Sequence, residues 1–183
     1  MTDTNIPQLS NQEFDMGWVI KHAIIGGLIV AVVFAVAEMI LNALFGSGGL
    51  LMPFKAFASV PLGIPPPEIP LSTALPVGLI FHLVYTVVLA LIFILIWAKV
   101  QVLRSSPIVT VVAASVYGVI TWAVGILVLA PALGRPWFAA APQVLPFIYH
   151  LVFFGMMLGL YLVWAAQVRF QLTDGLFAEK SAL

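Results

Sequence analysis

The sequence contains no cysteine, which excludes disulfides, Fe–S clusters, thiolate metal sites and cysteine nucleophiles. Charge is nearly as scarce. Seven Lys+Arg and seven Asp+Glu give 8% charged residues and a formal net charge of zero, where a soluble domain carries about 25% charged residues. No basic surface is left to hold a nucleic-acid backbone, so nucleic-acid binding is excluded. Also missing are a Walker phosphate loop, a dinucleotide-binding glycine fingerprint, an HExxH zinc motif and a Ser/His/Asp set in recognisable context, so the chain reads as non-enzymatic. What is present is apolar: 63% of 183 residues are hydrophobic, against roughly 45–50% in a soluble domain. A soluble globule is excluded, and the lipid bilayer is the expected surroundings.

Four apolar stretches are long enough to cross about 30 Å of hydrocarbon at about 1.5 Å per residue. They lie at about 19–45, 76–98, 108–131 and 146–167. The expected fold is therefore all-α, an integral membrane four-helix bundle over 19–167, with polar tails at 1–18 and 168–183. The first stretch is long for one crossing and is expected to tilt or run into the interface. Residues 1–18 hold Asp3, Glu13 and Asp15 and no basic segment, so no signal peptide is expected. Five basic residues (Lys21, Lys99, Arg104, Arg169, Lys180) fall on the side of the termini and two (Lys55, Arg135) on the other. That bias places both termini in the cytoplasm, in a prokaryotic cytoplasmic (inner) membrane. Trp18, Trp97 and Trp164 would then form the cytoplasmic aromatic belt, with Trp137 opposite.

The loop at 46–75 carries Pro53, Pro61, Pro65, Pro66, Pro67 and Pro70. Pro53 to Val60 reads as a short interfacial helix with proline in its first turn and Lys55 at the headgroups. Pro65-Pro66-Pro67 reads as an extended polyproline II run. Either a structured lid over the bundle or a plain connector fits this composition. Arg135 and Trp137 in the last outer loop read as headgroup anchors, and His22 as an interfacial residue.

Phe81-His82-Leu83-Val84-Tyr85 in the second span parallels Tyr149-His150-Leu151-Val152-Phe153 in the fourth. The likeness points to two copies of a helical hairpin related about the membrane normal. The copies differ, since Pro76 precedes its histidine by six residues and Pro146 by four. Small residues predict where helices touch: Gly27, Ala31 and Ala35 in the first span, Ala114 and Gly118 in the third, and Gly155 and Gly159 in the fourth.

Ionisable side chains within the spans need a partner, a cavity or a function. Glu38, His82 and His150 each lie about 6–10 Å from the outer end of their helix. Asn42 follows Glu38 by one turn, and Tyr149 precedes His150. Such a cluster admits several uses. Carboxylate and imidazole suit zinc, copper, iron or nickel. His82 and His150, on diagonal helices, could ligate a b-type haem, although Phe81 and Tyr149 would crowd the macrocycle. A Glu38–His pair with Tyr85 or Tyr149 could move protons or hold a quinone head. With no cofactor at all, the same residues are satisfied polar glue between helices.

Tyr117-Gly118-Val119 to Trp122, Pro131-Ala132-Leu133-Gly134, His150-Leu151-Val152 to Gly155, and Leu158-Gly159 together resemble small prokaryotic four-span membrane proteins of uncharacterised function. Glu38, Gly63 and His82 fit the same outline, so the resemblance covers about residues 24–166. It implies the four-helix fold and the paired histidines and brings no activity; the proline-rich loop departs from the pattern. Taken together, the sequence leads to the expectation of a non-catalytic accessory subunit of a larger respiratory or photosynthetic membrane complex, alongside other membrane subunits. The alternative is a haem-, metal- or quinone-binding redox or proton-transfer protein built on Glu38, His82 and His150.

Overall fold

The structure, a computed structural model, describes residues 13–46 and 48–181, with side chains through Arg169. Its long elements are α1 (Met16–Phe45), α2 (Met52–Leu62), α3 (Leu71–Lys99), α4 (Pro107–Ala132) and α5 (Val144–Arg169). Four of these, α1 and α3 to α5, are long and apolar enough to cross a bilayer, with mean hydropathy of 2.7, 2.9, 2.2 and 1.9. The protein is an all-α, multi-pass membrane bundle. Residues 1–12, on which most of the N-terminal tail expectation falls, lie outside the described residues.

Local chemistry sets the helix ends. Asp15 accepts the Trp18 amide at 2.8 Å and so caps α1. That amide, and more weakly Arg169, holds the Asp15 carboxyl below the ordinary carboxylate range. Ser106 caps α4 by accepting the Val109 amide at 3.2 Å, with Pro107 at the first position, where a missing N–H costs nothing. α2 ends at Gly63, whose φ of +68° suits a residue without a Cβ. Within α4, residues Ala123–Leu129 are π-helical, and within α5, Tyr149–Met156. The α4 widening precedes Pro131, which lacks an N–H and whose ring crowds the carbonyl four residues back.

Packing is inside-out, as lipid demands. The buried row of α1, Ala23, Gly27, Ala31 and Ala35, is small, whereas Ile24, Leu28, Val32, Val36 and Ile40 are exposed. α4 repeats the pattern, with Thr110, Ala114 and Gly118 buried and Val112, Val116, Ile120 and Val124 outside. A Cβ on Gly27 would lie 2.8 Å from Val87 Cα, and one on Gly26 would lie 2.4 Å from the Tyr161 ring. The adjacent glycines thus let α1 touch α3 on one side and α5 on the other. A Cβ on Gly155 would lie 2.5 Å from the Ala114 carbonyl oxygen, and one on Gly159 2.7 Å from Val111 Cα. The small-residue faces therefore meet inside one bundle, pairing α1 with α3 and α4 with α5.

Among the described residues, the hydrogen bonds that join α3 to α4 lie toward the end that carries residues 100–106. There Trp97 Nε1 donates to Thr110 Oγ1 at 3.1 Å, which donates on to the Leu103 carbonyl at 2.9 Å. About two turns further into the bundle, the Tyr117 hydroxyl donates to the Leu89 carbonyl at 2.9 Å.

Several sequence expectations are corrected. Trp97 is fully buried and belongs to the core, because its indole N–H finds Thr110 and not an interface. Residues 66–68 form a 3-10 turn, with only Pro65 (φ −53°, ψ 139°) polyproline-like, since the Glu68 amide turns back to the Pro65 carbonyl at 3.0 Å. The polar segment expected at 168–183 is not overturned: its backbone continues the helix as far as Ser181. α3 begins at Leu71, five residues before Pro76, which lies within the helix.

Candidate functional site

α2 lies across the end of the bundle remote from the termini and is docked, not loose. A Cβ on Gly78 of α3 would lie 2.2 Å from the Phe54 carbonyl oxygen, so α2 sits on bare α3 backbone at that point. From the far side, Arg135 Nε donates to the Val60 carbonyl at 3.0 Å, and its Nη1 to the Leu133 carbonyl. Trp137 Nε1 reaches Ser59 Oγ at 3.4 Å. Arg135 and Trp137 were expected at lipid headgroups; instead they fasten α2 to the α4–α5 connection, because that connection folds back over α2. Lys55 donates to the Pro67 carbonyl at 3.3 Å, closing the loop on itself.

Truncating the fastening, Arg135→Ala, is expected to raise amide hydrogen exchange across residues 52–62 while leaving α3 protected. The loss is about 1–3 kcal/mol of local stability, the usual cost of a charge-assisted bond to a buried carbonyl. Unchanged exchange in α2 would show that the Gly78 contact holds it alone.

Beneath α2 the helices form a cavity of about 1000 Å³. Glu38, Asn42, His82, Tyr149 and His150, scattered over α1, α3 and α5 in the sequence, all line it. Phe34, one turn before Glu38, sits among them, its ring centroid 5.4 Å from that of His82, 5.3 Å from His150 and 6.0 Å from Tyr149. Phe57 of α2 stacks on His82 at 4.1 Å and 12°. Tyr85 stacks on Phe81 at 5.4 Å.

The histidines are held differently. His82 Nε2 meets the Ala31 carbonyl of α1 at 2.9 Å, and His150 Nδ1 meets the Pro146 carbonyl of its own helix at 2.8 Å. A carbonyl only accepts, so each of these nitrogens carries a proton. The nitrogen left over is Nδ1 in His82 and Nε2 in His150. His150 also owes its position to the π segment: its carbonyl oxygen would lie 2.1 Å from a Cβ on Gly118. The widened turn pushes the α5 backbone against α4 where only glycine fits.

Two polar atoms here have no hydrogen-bond partner though buried: Glu38 Oε2 and the Tyr149 hydroxyl. Tyr149 is 4% exposed. Such orphans are costly, and a bound partner is one physical account of them. Asn42 is engaged, its Nδ2 donating to the Gly49 carbonyl at 2.8 Å.

Among the described residues no group of three or more His, Cys, Asp or Glu side chains is placed to hold a metal ion. Glu38, His82 and His150 share a cavity without converging as ligands. A haem between His82 and His150 does not fit either: the Phe34 ring lies against both imidazoles, and His82 Nε2 is spent on Ala31. The helix-packing residues Gly27, Ala31, Ala35, Ala114, Gly118, Gly155 and Gly159 lie on the buried faces, outside the cavity lining.

Sequence reasoning missed Phe34, Phe57 and the fastening by Arg135. Aromatics in an apolar helix carry no signal of their own; the spacing of Phe34 one turn before Glu38 was the available clue. No family model, no curated protein and no solved structure matches this chain.

Proposed function

We propose that this protein is a non-catalytic membrane subunit that holds an uncharged, ring-headed amphiphile of the quinone type beneath α2. The observation that carries the reading is the pair of unpartnered polar atoms, Glu38 Oε2 and the Tyr149 hydroxyl, in an otherwise largely aromatic and aliphatic cavity. Pockets of this size, apolar with a few fixed polar groups, suit a small organic ligand. A quinone head offers carbonyl oxygens for the Tyr149 hydroxyl and for a protonated Glu38, and a flat face for Phe34 and Phe81.

The membrane setting belongs to the proposal: a prokaryotic cytoplasmic membrane, with both termini cytoplasmic, supported by the five-to-two bias of basic residues. So does a place as accessory subunit in respiratory or photosynthetic electron transfer, which a bound quinone would explain.

The test is titration of a tail-less benzoquinone into nanodisc-embedded protein, read by quenching of tryptophan fluorescence. Tyr149→Phe and Glu38→Leu are each expected to weaken binding about 5–10-fold, one hydrogen bond apiece. Equal affinity in wild type and both variants would remove the reading. Gentle extraction from the native membrane tests the subunit role: a chain that always isolates alone would refute it.

A further inference from the structure

We propose that the cavity opens sideways into the bilayer between α3 and α4, and that its ligand is a long-tailed neutral lipid whose tail leaves by this gap. The inference rests on the ligand-binding reading above and adds the route and the tail.

The seam between α3 and α4 is closed at one end only. Trp97–Thr110, Phe93–Tyr117 and Tyr117–Leu89 all join the helices between Leu89 and the connection at 100–106. From Leu89 toward α2, no hydrogen bond or ring contact links α3 to α4 among the described residues. Both helices instead line the cavity there, with Tyr85 and Leu89 from α3 and Gly125, Ile126 and Leu129 from α4. At Gly125 the approach is loose: the one atom within 4 Å of a Cβ placed there is the Tyr85 hydroxyl oxygen, at 3.6 Å. The residues flanking the gap, Val84, Val88, Val124 and Val128, are exposed and aliphatic, a surface fit for acyl or prenyl chains.

The route past α2 is fastened. Over the end of the bundle lie α2, bound by Arg135 and Trp137, and the α4–α5 connection. A tail therefore has an apolar path through the seam and a covered, polar one past α2. The head is neutral for a separate reason. Arg135, the cationic side chain lining the cavity, is already engaged by two carbonyls, which spends the charge a phosphate would pair with. An anionic phospholipid head is thus disfavoured, and a ring with carbonyl or hydroxyl groups is accommodated.

The natural absence of cysteine makes the test clean. A Tyr85→Cys/Gly125→Cys double variant in nanodiscs is bridged with a short bis-maleimide, and the same variant capped with a monofunctional maleimide is the reference. Two probes are compared: a polyprenyl benzoquinone supplied in the lipid and a tail-less benzoquinone supplied in water. Bridging is expected to lower polyprenyl-quinone binding on the order of tenfold or more, and to leave the tail-less probe near its reference value. Gly125→Phe, which fills the gap from one side without chemistry, should discriminate the probes in the same direction. If bridging spares the polyprenyl quinone, or removes both probes alike, the lateral route is overturned while ligand binding stands. If neither probe binds the wild-type protein, the ligand-binding reading itself fails, and the route with it.

Discussion

Gly155→Val is expected to lose more than about 3 kcal/mol of stability, at or beyond the upper end of over-packing penalties, and to leave little folded protein on extraction into detergent. The reason is backbone against backbone. A Cβ at residue 155 would lie 2.5 Å from the Ala114 carbonyl oxygen and 2.8 Å from Ser115 Cα. No rotamer change relieves such a contact, so α4 and α5 must separate. Separation also undoes the neighbouring fit of Gly159 on Val111 and of Gly118 under the His150 carbonyl. In lipid, close packing is the main source of helix association, since apolar burial gains little from a solvent that is itself apolar. Gly125→Ala is the matched control: its methyl meets open space apart from the Tyr85 hydroxyl, so it should be neutral or stabilising by up to about 1 kcal/mol. Steric trapping or denaturant unfolding in bicelles would measure both. Equal stability of Gly155→Val and wild type would mean that α4 and α5 do not meet at this face.

Trp97→Ala is expected to cost about 3 kcal/mol, the lower end of the range for emptying an aromatic site, because the exposed alternative is lipid and not water. Trp97 is fully buried, with Phe14 at 4.9 Å and Trp18 at 6.1 Å between ring centroids. It also starts the chain of bonds through Thr110 to Leu103. Thr110→Val isolates the polar part: it keeps the shape but strands the indole N–H and the Leu103 carbonyl, for about 1–3 kcal/mol. The same unfolding experiment separates them. A Thr110→Val cost equal to that of Trp97→Ala would assign the whole effect to hydrogen bonding.

The four spans were legible because hydropathy and helix length are one-dimensional properties, and Met16–Phe45 through Val144–Arg169 follow from them. Small-residue rows were legible for the same reason: Gly27, Ala31 and Ala35 repeat at helical spacing. Which row meets which was not, because Gly155 pairs with Ala114 only once α4 and α5 are side by side. The common depth of Glu38, His82 and His150 follows from counting residues to helix ends. Their failure to converge as ligands depends on Phe34, whose ring position no spacing encodes. Trp97 was misplaced because tryptophan near a helix end is usually interfacial, and only the Thr110 hydroxyl, across the turn, explains its burial. The π turns were equally hidden, since a helix that widens keeps an ordinary composition.

The two histidine segments are near-copies in sequence, yet α3 passes His82 as an α-helix and α5 passes His150 as a π-helix. Each residue of a π turn advances the chain through a smaller angle, so the second copy does not present its aromatic–His–Leu–Val–aromatic faces as the first does. One imidazole consequently reaches across to another helix and its counterpart folds back on its own. An ancestral twofold arrangement would have offered two equivalent recesses. The present chain offers a single handed one, in which the two ends of a symmetric ring would meet chemically different surroundings.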